Sequence, residues 1–89
     1  MGVKTKNWKD KIELGAYLRS LRVTRSLNQH QAAEQLGCSE QTVSLLERGG
    51  TQPGVSLLRS VTDLYGLNLE DLLNVFYPPG KREWKNKQD

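Results

Sequence analysis

Disulfide and zinc chemistry are the first things this sequence excludes. Cys38 is its one cysteine and His30 its one histidine, so no internal disulfide can close and no Cys/His tetrad can hold zinc. A reducing cytoplasm suits such a chain. Aromatic residues are few, at 7%. Apolar runs are short: Val75-Phe76-Tyr77 is typical and cannot span a bilayer. Met1 to Lys11 is basic and polar with no apolar segment behind it, which does not read as a secretory signal. No Gly-rich loop cradles phosphates, and the sparse Ser, Asp and lone His give no nucleophile with its base, so catalysis and a bound cofactor are not expected.

With 89 residues, 36% of them hydrophobic and 26% charged, the chain has material for one core; a domain this size buries only about two-thirds of its unfolded surface. The net charge of +3 is unevenly spread. Residues 1–26 carry +5, residues 27–80 carry −4 and residues 81–89 carry +2. A basic end on a near-neutral body fits a polyanion partner, and it equally fits solvated basic termini.

Apolar residues recur at helical spacing, and no run alternates as a strand should. Five helices are expected. The first spans Lys11 to Ser26, with Leu14, Leu18 and Leu21 in one stripe and Arg22 at its edge. The second runs from Gln29 to Leu36, with Leu27 as a hydrophobic staple. Asn28 caps it, and Gln31 completes a capping box. Gly37 stops this helix in the left-handed conformation that glycine tolerates. Ser39 caps the third helix, which ends near Arg48 before Gly49-Gly50. After the turn at Thr51-Gln52-Pro53-Gly54, a fourth helix covers Val55 to Tyr65, with Leu58, Val61 and Leu64 or Tyr65 inward, and Gly66 stops it. Asn68 caps a fifth through Val75, with Leu69, Leu72 and Leu73 available for burial. Order is expected to end at Pro78-Pro79-Gly80. The chain thus divides into a basic segment at 1–10, a domain at 11–77 and a flexible polar tail at 78–89.

The informative segment is 29–48. Its two short helices meet across Gly37-Cys38, a turn that forces a steep crossing. Ala32, Ala33, Leu36, Cys38, Val43 and Leu46 are expected inward, with Ala33 small where the axes come closest. On a helical wheel Glu40, Gln41, Ser44, Leu45 and Arg48 form the stripe opposite Val43 and Leu46. Glutamine can bond an adenine edge twice and leucine can pack on a thymine methyl, so this stripe has the chemistry of a major-groove reader.

Those residues, with Leu14-Gly15, Leu27-Asn28-Gln29, Leu36-Gly37, Leu46-Glu47-Arg48-Gly49 and Thr51-Gln52-Pro53, resemble the phage repressor and Cro-type (XRE) helix-turn-helix family. The resemblance covers Leu14 to Leu73 and implies an all-α, five-helix, lambda-repressor-like fold. It implies a cytoplasmic, bacterial, phage or plasmid transcriptional repressor that binds an inverted-repeat operator in duplex DNA as a homodimer. The last helix and Phe76-Tyr77 are the expected dimer face. Gln29 would bond a backbone phosphate; Ser39, Glu40, Gln41, Ser44 and Leu45 would face bases or phosphates; Arg48, Gly50 and Thr51 would meet phosphate beyond them. Arg22 and Glu47 would form a buried structural ion pair. Ala32 is smaller, and Thr62 more polar, than the residues usual in the family.

Several readings stay open. Lys4, Lys6, Lys9 and Lys11 can form an arm along DNA, or Trp8 can pack on the body and leave them solvated. His30 can be a titrating switch or a surface histidine, and Cys38 a small apolar turn residue or a redox sensor. Trp84 in the tail suggests an alternative function: an antitoxin-type module that captures a protein partner and also binds its own promoter.

Overall fold

The computed structural model describes residues 7–81. Five helices follow in order: α1 (Lys11–Thr24), α2 (Gln29–Leu36), α3 (Glu40–Arg48), α4 (Val55–Tyr65) and α5 (Leu69–Phe76), then one 3-10 turn at Pro79–Lys81. No strand occurs among the described residues, so the all-α, five-helix expectation holds. Lys4, Lys6 and Trp84, on which the arm and the protein-partner readings partly rest, lie outside the described residues.

Side-chain caps fix where the helices begin. The Asp10 carboxylate accepts from the Glu13 amide at 2.9 Å, and the Glu13 side chain reaches back to the Lys9 amide. At α2 the capping box is complete. Asn28 Oδ1 accepts from the Gln31 amide and Gln31 Oε1 accepts from the Asn28 amide, both at 2.8 Å. Ser39 Oγ accepts from the Thr42 amide at 3.0 Å, and Asn68 Oδ1 from the Glu70 amide at 2.8 Å. Each bond satisfies a backbone donor that the first helical turn would leave without an intrahelical partner.

The expected end of α1 at Ser26 is two residues too long. Ser26 is left-handed, with φ 58°, and so cannot continue the helix. The Ser26 amide bonds the Val23 carbonyl at 2.9 Å and the Leu27 amide bonds the Arg22 carbonyl at 3.1 Å. These bonds turn the chain toward the α2 cap. At the other end, Pro79–Lys81 form one 3-10 turn.

The core lies where α1 packs on α3, α2 packs on α3 and α4, and α5 closes over α4 and α1. Leu14, Leu18, Leu58, Leu72, Val43 and Val61 are its fully buried centre. Of the six residues expected inward around the α2–α3 turn, five are buried and Cys38 is half-buried. Burial pushes the Cys38 thiol above its ordinary value, as expected for an anion moved out of water.

One further expectation is corrected. Phe76 is buried in the core rather than offered to a second subunit. Tyr77 is half-buried, and its hydroxyl donates to the Pro53 carbonyl at 2.7 Å. Gln52 Nε2 bonds the Phe76 carbonyl beside it, so the α3–α4 turn is clamped onto the end of α5. Trp8, for its part, packs on the body. Its ring centroid is 5.4 Å from that of Tyr17, tilted by 44°. Lys11 starts α1 with Nζ on Gln52 Oε1 at 3.1 Å.

Candidate nucleic-acid interface

The α2–α3 turn begins with Gly37 in the left-handed region at φ 75°. Its amide and that of Cys38 both return to the Ala33 carbonyl, at 2.9 and 3.1 Å. Ser39, extended at φ −84° and ψ 158°, then starts α3. Only Gly37, Cys38 and Ser39 separate the two helices.

What α3 buries decides what it presents. Val43 and Leu46 enter the core and Glu47 is buried beside them. Glu40, Gln41 and Arg48 are exposed, while Ser44 and Leu45 are half-exposed. The polar stripe expected from the wheel is therefore accessible, but Leu45 is less open than a free surface leucine. Gly50 lies against it: a Cβ built there would stand 3.4 Å from Leu45 Cδ2, and the Gly50 amide bonds the Leu45 carbonyl at 2.8 Å.

A buried ion pair locks this helix to α1. Arg22 Nε donates to Glu47 Oε2 at 2.6 Å, and a second guanidinium nitrogen donates to Oε1 at 3.1 Å. The third reaches the Leu27 carbonyl at 2.8 Å, just before the α2 cap. The bonds to Glu47 hold the guanidinium above its already high value, against an opposing desolvation. Nearby, burial above all, and then the Glu47 charge, pushes the Tyr65 phenol up.

Gly15 shows why α1 and α3 can approach closely enough for this bridge. A Cβ at Gly15 would lie 2.5 Å from the Glu47 carbonyl oxygen and 2.6 Å from that of Leu46. Both atoms are backbone, so the position admits no side chain while the helices stay where they are.

A family model described as a helix-turn-helix domain matches residues 13–75. The chain belongs to the helix-turn-helix domain family. It is similar to a protein of Methanocaldococcus jannaschii named as an uncharacterised HTH-type transcriptional regulator. The two are 31% identical over 55 residues, which cover 62% of this chain and 83% of the relative. No solved structure matches the chain. The match and the likeness together support the XRE-type assignment.

Within the helix-turn-helix unit the expected site residues fall into four groups. Glu40, Gln41, Ser44, Leu45 and Arg48 share the outer side of α3 to the degrees just given. Arg48 Nε leans back on the Ser44 carbonyl at 3.3 Å. Ser39 is exposed at the head of α3, its oxygen engaged by the Thr42 amide and its hydroxyl 2.9 Å from Thr42 Oγ1. Gly50, exposed, and Thr51, half-buried, follow α3. Gln29 is half-buried at the start of α2, and its Nε2 donates to Glu47 Oε1 at 3.2 Å. That contact was not foreseen from the sequence, nor was the role of Gly15.

His30 stands between two carboxylates of the helix-turn-helix, Nε2 3.4 Å from Glu34 and Nδ1 3.8 Å from Glu40, all three exposed. Among the described residues, no group of three or more His, Cys, Asp and Glu could hold a metal ion. No helix among them is long and apolar enough to cross a membrane.

Proposed function

We propose that this protein is a sequence-specific transcriptional regulator, a repressor, that inserts α3 into the major groove of duplex DNA. One observation carries the reading. The α3 side facing away from Val43 and Leu46 is accessible, rich in hydrogen-bonding groups and placed beside the start of α2. In this geometry α2 lies across a phosphate strand while α3 meets the base edges. Gln41 is the principal base reader, with two donors and two lone pairs at the groove-facing start of α3. Ser44 and Leu45 supply a hydroxyl and a methyl-packing surface. Gln29, Ser39, Arg48, Gly50 and Thr51 hold phosphates on either side.

The working form is a homodimer, its face built on α5 without Phe76. Two copies of α3 about 34 Å apart would read an inverted repeat whose half-sites are centred one helical turn apart. Bound over a promoter in the cytoplasm, the dimer would act by occupancy.

Random-site selection with the full chain, followed by gel shifts across a salt series, tests this. An enriched inverted repeat, with affinity falling steeply as salt rises, is the expected result, because each neutralised phosphate releases counterions. Recovery of no preferred sequence, or an affinity flat between low and moderate salt, would overturn it.

A further inference from the structure

The buried ion pair has a third member. Glu47 Oε1 receives two donors, a guanidinium nitrogen of Arg22 at 3.1 Å and Gln29 Nε2 at 3.2 Å. Oε2 receives Arg22 Nε at 2.6 Å. The carboxylate therefore joins α1, α2 and α3 at one point. Arg22 fastens the junction once more through the Leu27 carbonyl at 2.8 Å. A two-partner tie between α1 and α3 would leave the Gln29 side chain free to sample its rotamers. Here it is fixed.

We infer that Glu47 is a positioning residue for DNA binding, aiming the side-chain amide of Gln29 at the phosphate backbone. The inference rests on the DNA-binding reading above and extends it to a residue that itself touches no DNA. An ionised carboxylate only accepts hydrogen bonds, so it decides which end of the Gln29 amide faces inward: the nitrogen. One N–H is then consumed at Glu47, and the planar amide holds the second in a fixed direction. A long glutamine side chain loses substantial rotamer freedom when ordered. Glu47 imposes that order before DNA arrives, which is how preorganisation strengthens binding.

The chemistry suggests which substitutions separate positioning from folding. Glu47→Asp keeps the charge, and the long Arg22 side chain can follow the shortened carboxylate, whereas Gln29, anchored on the first turn of α2, cannot. Glu47→Gln leaves one oxygen. Arg22, donor only, claims it, and a new NH2 facing Gln29 turns that amide round to accept, so that its oxygen rather than its nitrogen points inward.

The experiment is a double-mutant cycle on the full chain. Affinity for a fluorescent random-sequence duplex is measured at fixed low salt for wild type, Glu47→Asp, Gln29→Ala and the double variant. Folding of each is checked by circular dichroism. Glu47→Asp should weaken binding roughly fivefold, the worth of one neutral hydrogen bond, and should cost nothing further in the Gln29→Ala background. In the free protein, the Gln29 side-chain NH2 signals should shift toward those of a freely rotating glutamine and exchange faster with water in Glu47→Asp. Glu47→Gln serves as a second probe of the same cycle should Glu47→Asp fold poorly. Equal losses in both backgrounds, or unchanged Gln29 resonances, would reduce Glu47 to a structural tie and overturn the inference. A wild-type chain that binds no duplex would strike the DNA-binding reading itself, a different and distinguishable result.

Discussion

Replacing Gly15 by alanine sets two effects of opposite sign against each other. In an open helix interior the change would help, because alanine is favoured over glycine by about 1 kcal/mol. In α1 the added methyl would lie 2.5 Å from the Glu47 carbonyl oxygen, 2.6 Å from the Leu46 carbonyl oxygen and 2.8 Å from the Glu47 carbonyl carbon. All three are helix backbone, so no side chain can swing clear. Relaxing to an ordinary separation of about 3.5 Å requires α1 and α3 to part by close to an ångström. Overpacking of this kind costs about 1–3 kcal/mol, occasionally more. The same movement stretches the Arg22–Glu47 bridge, which starts from 2.6 Å and joins the same two helices. Taking a clash at the upper end and subtracting the helix-propensity gain leaves a net loss of about 2 kcal/mol. At 4–8 °C per kcal/mol for a domain this size, Tm should fall by roughly 10 °C. Thermal melts followed by circular dichroism measure it directly. The sign is diagnostic: Gly15→Ala melting at or above wild type would refute the close approach of α1 and α3.

Three more outcomes are expected. Gln41→Ala should flatten base preference at one operator position by about 1–3 kcal/mol in a binding-site selection, with affinity for random duplex little changed; uniform weakening on all sequences would assign Gln41 to phosphate instead. Glu40→Gln removes an exposed carboxylate from the proposed DNA-facing end of α3 and should tighten duplex binding about threefold at low salt, the scale of one exposed charge interaction, with the gain shrinking as salt rises. At high pH, burial raises the Cys38 thiol above its ordinary 9.0 and the Tyr65 phenol above its ordinary 10.0. Both groups therefore ionise in the unfolded chain before they do so in the folded one. Their stabilisation is complete below pH 9 and declines as the pH climbs past those values. Urea midpoints should drop above pH 9, with Cys38→Ser removing the earlier part of the decline; a midpoint constant into that range would contradict it.

What the sequence made legible was mostly local. Asn28 with Gln31, Ser39, and glycines at 37, 49 and 66 sit within one turn of the helix ends they set, so their chemistry can be read at fixed short spacing. The wheel of α3 was readable for the same reason: burial of Val43 and Leu46 follows from a period of 3.6 residues. The Arg22–Glu47 pair spans α1 and α3 and came instead from a family resemblance. The unforeseen features are distances between residues far apart in sequence. Nothing near Gly15 announces that the Glu47 carbonyl will lie against it. Gln29 reads as an exposed residue on a first helical turn until the fold brings Glu47 to it. Phe76, beside two prolines, looked available to a second subunit because the core that buries it is built from residues distant in the sequence. Ser26 was assigned to α1 because serine carries no helix-stop signal, and only the return of Leu27 to the Arg22 carbonyl ends the helix there.

These long-range contacts also join stability to recognition in a way that can be taken apart. Gly15, Arg22 and Glu47 are all buried, yet together they fix how far α3 stands from α1 and which way Gln29 points. A loss of DNA affinity after a change at Gly15 therefore has two possible sources, fewer folded molecules or a displaced α3. Magnitude decides between them. A domain with about 5 kcal/mol of stability that loses about 2 still holds about 3, and more than 99% of its molecules remain folded at 25 °C. Unfolding would then lower the apparent affinity by under about 1%. A measurable loss for Gly15→Ala at that temperature would instead report the displacement of α3, with its base-reading and phosphate-holding groups moved together. Random-sequence and operator duplexes should then weaken in parallel. Unchanged affinity on both would mean that α3 keeps its place despite the added methyl, and the contact at Gly15 would carry stability alone.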